Sequence, residues 1–437
     1  MTLGGRARVA VVFGRLAAAA SRALGRGSGG MIGGRVAKAI CGDVLARLAD
    51  DRRCVMVTGT NGKSTTTRMV VAALEAAGHK VAVNQGGDNM EGGVVSALMS
   101  NMDAPFVILE VDEMHMPSIA AQIRPEVLLY LNLSRDQLDR VGGVSVVEGR
   151  LREAAANSPQ AVMVVNCDDP QVTSAAWDCQ GPHVWVAAGL SWTADSVQSP
   201  RSKGSIVREG LDWYDDSLAE FRRPDPDFEL GGDDGANSGF RLIHNTISED
   251  AVKDSQSWDL SVKLPGRANR ANALMAVAAA YEMGVDIPTA IRGVQGVVDI
   301  AGRYKVARID GRDARLILAK NPAGFQEALS MRDPSAVGTV LAVNARVGDG
   351  TDISWIQDVD FSSLSGPIVA CGEEGLALQK RLKEQGVEAE FAPTAREGVL
   401  MCEAGAVDVL ANYTAFQDLY VELKAQGLFT NAPRPLH

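Results

Sequence analysis

The stretch Val55-Met56-Val57-Thr58-Gly59-Thr60-Asn61-Gly62-Lys63-Ser64-Thr65 reads as an apolar strand running into a glycine loop, followed by a helical pattern over 66–77. Such a loop is suited to phosphate. Glycine lets backbone N–H groups approach an anion, and the helix N-terminus behind it favours negative charge. Lys63 offers a cation to terminal phosphate oxygens, and Ser64 a hydroxyl to Mg²⁺. The general phosphate-loop pattern asks for glycine where Val57 stands, so this loop is a variant. Lysine followed by serine and threonine has no packing rationale in that setting, which argues against an ordinary strand-to-helix turn. Lys63 is expected to be exposed in its loop.

Outward from this loop, apolar runs over 54–58, 80–83, 106–111, 127–132 and 161–165 alternate with helical patterns. That alternation predicts a parallel sheet covered by helices, with ligands beyond the carboxyl ends of the strands. Phe106-Val107-Ile108-Leu109-Glu110-Val111-Asp112-Glu113 is a buried strand ending in carboxylates, which suits Mg²⁺ held against phosphates. Glu110 is the first choice of ligand; the plainer alternative for Asp112 and Glu113 is that they only solvate a strand end. Over 191–259 the pattern gives way to Ser, Gly, Asp and Pro, including Gly231-Gly232-Asp233-Asp234-Gly235, and a loop of that length is functional or an inserted subdomain. Helical periodicity returns over 269–283. Strands over 315–319, 339–343, 367–371 and 407–411 then predict a separate, smaller α/β domain. The boundary falls near Gly302, giving domains 1–302, with the insertion at about 191–259, and 303–437.

The chain has 437 residues, 46% of them hydrophobic, which allows two or three domains with real cores. A net charge of −11 argues against a general nucleic-acid or membrane-surface binder, so any contact with an anion must be local. Cys41, Cys54, Cys167, Cys179, Cys371 and Cys402 are scattered, with no C-x-x-C pair, and fit a reducing cytosol. Basic residues and the apolar run 9–13 superficially resemble a signal peptide, but Arg15 and Arg22 interrupt it. The segment is read as an amphipathic helix, and no stretch approaches the roughly 20 apolar residues of a spanning helix.

The Thr58-Gly59-Thr60-Asn61-Gly62-Lys63 form resembles that of the Mur ligases and folylpolyglutamate synthases. Leu131-Asn132-Leu133-Ser134-Arg135-Asp136-Gln137-Leu138-Asp139-Arg140 resembles the Asn-x-x-x-Asp-His-x-Asp-Arg stretch of Mur ligases, with Gln137 in place of histidine. That version is characteristic of the MurT family, to which the resemblance narrows. Leu264-Pro265-Gly266-Arg267-Ala268-Asn269-Arg270-Ala271-Asn272-Ala273 looks like the family's adenine-reading segment, although Asn269 alone would also serve as a helix cap. Leu318-Ala319-Lys320-Asn321-Pro322-Ala323-Gly324, Asp349-Gly350-Thr351-Asp352-Ile353-Ser354-Trp355 and Asn412-Tyr413-Thr414-Ala415-Phe416 are similar to the family's C-terminal domain. With Asn89-Met90-Glu91-Gly92-Gly93, the resemblance covers nearly the whole chain.

The resemblance implies a Mur-ligase-like central P-loop ATPase domain with a parallel sheet, and a smaller Rossmann-like α/β C-terminal domain. It implies ATP bound by Thr58, Gly59, Thr60, Asn61, Gly62, Lys63, Ser64, Thr65, Asn269, Asn272 and Arg303, with Mg²⁺ on Ser64 and Glu110. The activity implied is ATP-dependent amidation of the α-carboxyl of D-glutamate in lipid II to D-isoglutamine, through an acyl phosphate. No cysteine lies in a nucleophile-elbow context, so ammonia is expected from a partner; the resemblance implies that this partner is a GatD-type glutaminase in a heterodimer. The complex is expected in the cytoplasm, at the inner face of the cell membrane. Asp349, with Asp352 as alternate, is the candidate to orient the partner's catalytic histidine, and Glu110 is counted among the catalytic residues. An Asp-Gly turn that caps its own backbone is the plainer reading of Asp349.

The sequence departs from the family in two places. Several members carry a Cys₄ zinc ribbon in the insertion, but 191–259 holds no cysteine, so no zinc is expected. Arg152 falls near the position of a carbamylated lysine in many Mur ligases; arginine cannot be carbamylated and could meet phosphate directly. Two other activities remain open: a Mur- or folylpolyglutamate-type ligase adding an amino acid, and a scaffold regulated by nucleotide.

Overall fold

A computed structural model of the chain describes residues 3–23, 30–84, 88–135, 143–231, 240–244, 254–298, 303–350 and 352–430. Asp136, Gln137, Asp139, Arg140, the stretch from Gly232 to Gly235, Gly302 and Thr351 lie outside the described residues. The chain forms two compact units. The first comprises Met1–Ser134, Gly142–Val262 and Asn269–Val297, the second Arg135–Val141, Lys263–Ala268 and Val298–His437.

The first unit opens with helices α1 (Gly5–Ala23), α2 (Gly30–Ile40) and α3 (Val44–Ala49). Its strands are β1 (Arg53–Thr58), β2 (Val81–Val83), β3 (Phe106–Glu110), β4 (Val127–Tyr130), β5 (Val162–Asn166), β6 (His183–Ala187), β7 (Ile206–Glu209), β8 (Asp212–Asp215), β9 (Phe228–Leu230), β10 (Phe240–His244) and β11 (Asp254–Trp258). Among the described residues the main sheet runs β11-β10-β9-β6-β5-β4-β1-β3-β2, parallel from β2 to β9 and antiparallel through β10 and β11. β3 and β4 are buried at every position, the continuous apolar run of a strand covered on both faces.

From β1 the chain passes through α4 (Lys63–Ala76) to β2 and β3 on one side, then returns to lay β4 on the other. β1 is therefore the topological switch point, and the crevice beyond its carboxyl end is where an open α/β sheet binds ligand. Behind the sheet, α1, α2 and α5 (Glu91–Ser100) approach closely. A Cβ on Gly34 would lie 1.8 Å from the Gly92 carbonyl oxygen, so the α2–α5 contact tolerates no side chain there.

The insertion is more regular than its composition predicts. β7 and β8 form a hairpin over a small cluster of Ile206, Trp213 and Phe221, while β9, β10 and β11 extend the main sheet. Strands of three to five residues are too short for alternation to stand out among Gly, Asp and Ser.

The second unit is a six-stranded sheet in the order β12-β13-β17-β14-β15-β16, among the described residues. Its strands are β12 (Tyr304–Ile309), β13 (Arg312–Leu318), β14 (Gly338–Ala342), β15 (Ile368–Cys371), β16 (Glu390–Ala392) and β17 (Ala406–Ala411). All pairings are parallel except the β12–β13 hairpin, which turns at Asp310 and Gly311, both with positive φ. This is the Rossmann-like α/β arrangement expected from the sequence.

Candidate functional site

The loop after β1 is held on all sides. Gly59 has φ +137°, and a Cβ there would lie 2.9 Å from Leu131 Cβ and 3.0 Å from the Asn132 backbone. Gly62, at φ +88°, is the N-cap of α4 and has Asn272 Oδ1 within 2.4 Å of where a Cβ would stand. Thr60 N donates to Asn132 O at 2.9 Å, Asn61 N donates to Asn132 Oδ1 at 3.0 Å, and Asn132 Nδ2 donates back to Asn61 O at 3.0 Å. Thr60 Oγ1 donates to Ser134 O at 3.1 Å and accepts from Ser134 N at 3.0 Å. The segment after β4 thus clamps the loop, and Asp169 secures that segment by accepting from Leu133 N at 2.8 Å and Gln171 N at 2.9 Å. Burial pushes the Asp169 carboxyl up to about 6, against the pull of those N–H groups.

Lys63 differs from the sequence expectation. It is 6% exposed, the first residue of α4, and its Nζ donates to Gly59 O at 2.5 Å and to Glu113 Oε1 at 2.8 Å. The ammonium is buried because the loop folds over it, and Glu113, on the turn after β3, supplies the charge that makes burial tolerable. Beside it, Ser64 Oγ donates to Glu110 Oε2 at 2.7 Å. The Glu110 backbone is fixed by Asn84, which accepts from Glu110 N at 2.9 Å and donates to Glu110 O at 2.7 Å. Asp112 is turned elsewhere, accepting from Met114 N at 3.0 Å; burial and the neighbouring Glu113 carboxylate raise its pKa, and Lys63 lowers it.

These groups fit a magnesium nucleotide. Mg²⁺ takes hard oxygen ligands, one or two from protein and the rest from phosphates and water. Ser64 and Glu110 are such a pair, already within hydrogen-bond distance of each other. No cluster of three or more His, Cys, Asp or Glu suited to a metal occurs among the described residues. Asn272 lies against Gly62, and its Nδ2 is 3.5 Å from Asn269 Oδ1, so Asn272 stands at the loop with Asn269 beside it. Arg152 is engaged by Glu148, with Nε to Oε1 at 3.1 Å, and by Ser174 Oγ at 3.0 Å. Arg303 belongs to the second unit, where its carbonyl accepts from Leu318 N at 2.9 Å.

In the second unit Asp349 is 6% exposed and does more than cap its own turn. Its Oδ1 accepts from Thr414 N at 2.8 Å, and the Thr414 hydroxyl donates to Oδ2. Thr414 lies in the first turn of α14 (Tyr413–Ala425), whose N-cap Asn412 makes no side-chain cap bond of its own. Asn412 instead ties the β14 and β17 ends together, donating to Asn344 O at 2.6 Å and accepting from Asn344 N at 3.1 Å. Asp349 therefore supplies the missing helix cap from another loop. Asp352 is exposed, and its pKa is lowered by Ser354 N, which donates to it at 2.8 Å. Both aspartates line a cleft with Lys320, Asn321, Pro322 and Trp355.

Sequence reasoning did not single out Asn84, Asp169 or the Thr414 grip on Asp349. Asp169 had a legible signal, an Asp-Pro pair opening a helix, and it does cap α8 (Pro170–Ala176). Asn84 had none.

Residues 57–199 match the Mur ligase middle domain, and residues 318–416 match the MurT ligase C-terminal domain. The pseudomurein peptide ligase type C from Methanothermus fervidus shares the fold, with a TM-score of 0.65 at 16% identity over 87% of this chain and 80% of its own. Fold, loop and domain matches place the chain in the Mur ligase family. Its C-terminal unit makes it a member of the MurT branch. The lipid II isoglutaminyl synthase (glutamine-hydrolyzing) subunit MurT of Staphylococcus aureus is 28% identical over 87% of this chain and 88% of its own length. The protein of the same name from Streptococcus pneumoniae is 29% identical over 84% of each.

Proposed function

We propose that this chain is the ATP-using synthetase subunit of a glutamine-dependent amidotransferase acting on lipid II. The observation that carries the reading is the crevice at the end of β1, where the Lys63 ammonium and the Ser64–Glu110 pair stand side by side. The γ-phosphoryl group of ATP passes to an oxygen of the D-glutamate α-carboxylate, giving an acyl phosphate and ADP. Ammonia attacks the carbonyl carbon, phosphate leaves with that oxygen, and one N–H proton is lost to give D-isoglutamine. Phosphorylation turns a poor leaving group into a good one.

Thr58, Gly59, Thr60, Asn61, Gly62 and Thr65 form the cradle in which Lys63 trades its bond to Gly59 O for a phosphate oxygen. Developing charge on the transferred group is then met by an ammonium already desolvated. Mg²⁺ supplies charge neutralisation when held by Ser64 and Glu110. Asn269, Asn272 and Arg303 contact the rest of the nucleotide. Ammonia comes from a GatD-type glutaminase in a heterodimer, with Asp349, or Asp352 as alternate, orienting the partner's histidine. The complex works in the cytoplasm, at the inner face of the cell membrane.

Glu110→Gln keeps the shape and an acceptor for Ser64 but removes the charge. The Mg²⁺ concentration for half-maximal activity should rise on the order of tenfold to a hundredfold. An unchanged Mg²⁺ titration would transfer the ligand role to Asp112 or Glu113. Elemental analysis of the purified protein should find no stoichiometric zinc, since 191–259 has no cysteine and all six cysteines are free thiols. One zinc per chain would show that other ligands have replaced the ribbon.

A further inference from the structure

Helix α1 is amphipathic the wrong way round for a helix that only packs on its own core. Ala7, Ala10, Val11, Gly14, Ala18 and Ser21 are its buried residues, almost all small. A Cβ on Gly14 would lie 2.8 Å from Gly33 O, so the small face is needed for close packing on α2. The large apolar residues point away. Val9 is 48% exposed, Val12 55%, Phe13 53% and Leu16 60%. Positions 9, 12, 13 and 16 follow the i, i+3, i+4, i+7 rule and form one stripe. An isolated exposed leucine needs no explanation, but a stripe of four large side chains on one helix marks a contact surface.

Charge identifies what the stripe meets. Arg8, Arg15 and Arg22 are all exposed, and seven-residue spacing sets them along one edge of the stripe. Arg6 is exposed beyond the other edge and is held by Ile40 O at 2.7 Å; Arg15 is held by Met99 O at 3.1 Å. The first 42 residues carry Arg6, Arg8, Arg15, Arg22, Arg26, Arg35 and Lys38 and not one Asp or Glu, in a chain whose net charge is −11. A two-fold contact between copies would bring these arginines against each other. An apolar stripe edged by arginine matches the boundary between acyl chains and anionic headgroups. No helix among the described residues is long and apolar enough to cross a membrane.

We propose that α1 is an interfacial membrane helix. It lies in the plane of an anionic bilayer with Val9, Val12, Phe13 and Leu16 at the acyl boundary and the flanking arginines on lipid phosphates. The inference stands on α1 alone and needs neither ATP nor the ligase reading.

The test is co-sedimentation of the full chain with vesicles of phosphatidylcholine, with and without phosphatidylglycerol. Binding to the phosphatidylglycerol vesicles is expected, weakening as salt shortens the screening length. Phe13→Glu with Leu16→Glu, both exposed, should leave the melting temperature unchanged and weaken binding tenfold or more, on the order of what burying two such side chains contributes. Arg8→Gln should weaken it about fivefold. The proposal is overturned if the wild-type chain does not sediment, or if the double variant sediments equally well. It is also overturned if light scattering shows a dimer that the double variant dissociates, or if the stripe binds the glutaminase instead.

Discussion

Lys63→Ala is expected to abolish ATP-dependent amidation, with kcat/KM falling at least on the order of a hundredfold to a thousandfold, the usual loss when one preorganised charge is removed from a transition state. The structure adds a second effect. Lys63 and Glu113 form a pair with side chains 7% and 12% exposed, and removing one member leaves a nearly buried carboxylate without its counter-ion. Breaking such a pair costs about 3–5 kcal/mol, so the alanine variant should also melt earlier. Lys63→Met combined with Glu113→Gln separates the two effects, because it removes both charges at similar volume. The double variant should recover most of the melting temperature and none of the turnover. Retained turnover in either variant would defeat the phosphate-loop assignment.

Asp349→Asn should leave amidation from free ammonia intact while reducing the glutamine-dependent reaction by about 10⁴, the scale of losing the carboxylate that orients a catalytic histidine. The asparagine oxygen can still accept from Thr414 N, so α14 keeps its cap. The lost bond to the Thr414 hydroxyl should cost only about 1 kcal/mol. A carboxylate with two oxygens has lone pairs beyond those that Thr414 uses, and the grip of Thr414 fixes how the remaining ones point. A purely structural role predicts a different pattern, in which both nitrogen sources fail together or neither does. Asp352→Asn, at an exposed position, is the matched comparison: if it alone shows the split, the orienting role passes to Asp352.

The phosphate loop was legible because its requirements are local. Glycines at positive φ, a lysine at the first helical position and a serine beside it are all fixed by backbone geometry within a few residues. The strands of the parallel sheet were legible because burial on both faces makes them continuous apolar runs, as at Phe106 to Glu110. What the sequence hid depends on distant contacts. Lys63 was expected in the open because nothing near it announces that Glu113, fifty positions away, will reach its ammonium. At Asp349 an Asp-Gly turn was the plainer alternative reading, and nothing near it announces the bonds it accepts from Thr414, sixty-five positions on. The outer face of α1 was similarly hidden: periodicity identifies an amphipathic helix but not which of two apolar faces meets the core.

Reconstitution tests the central claim most directly. The purified chain is combined with its cognate GatD-type glutaminase, lipid II, Mg²⁺, ATP and glutamine, and the muropeptide is weighed after digestion. Conversion of the carboxyl to the amide should lower its mass by about one dalton and remove one negative charge, with one ADP per amide formed. A mass gain matching an added amino acid would contradict the account and make the chain a peptide-extending ligase. No mass change and no ADP, with the glutaminase active, would reduce it to a nucleotide-regulated scaffold.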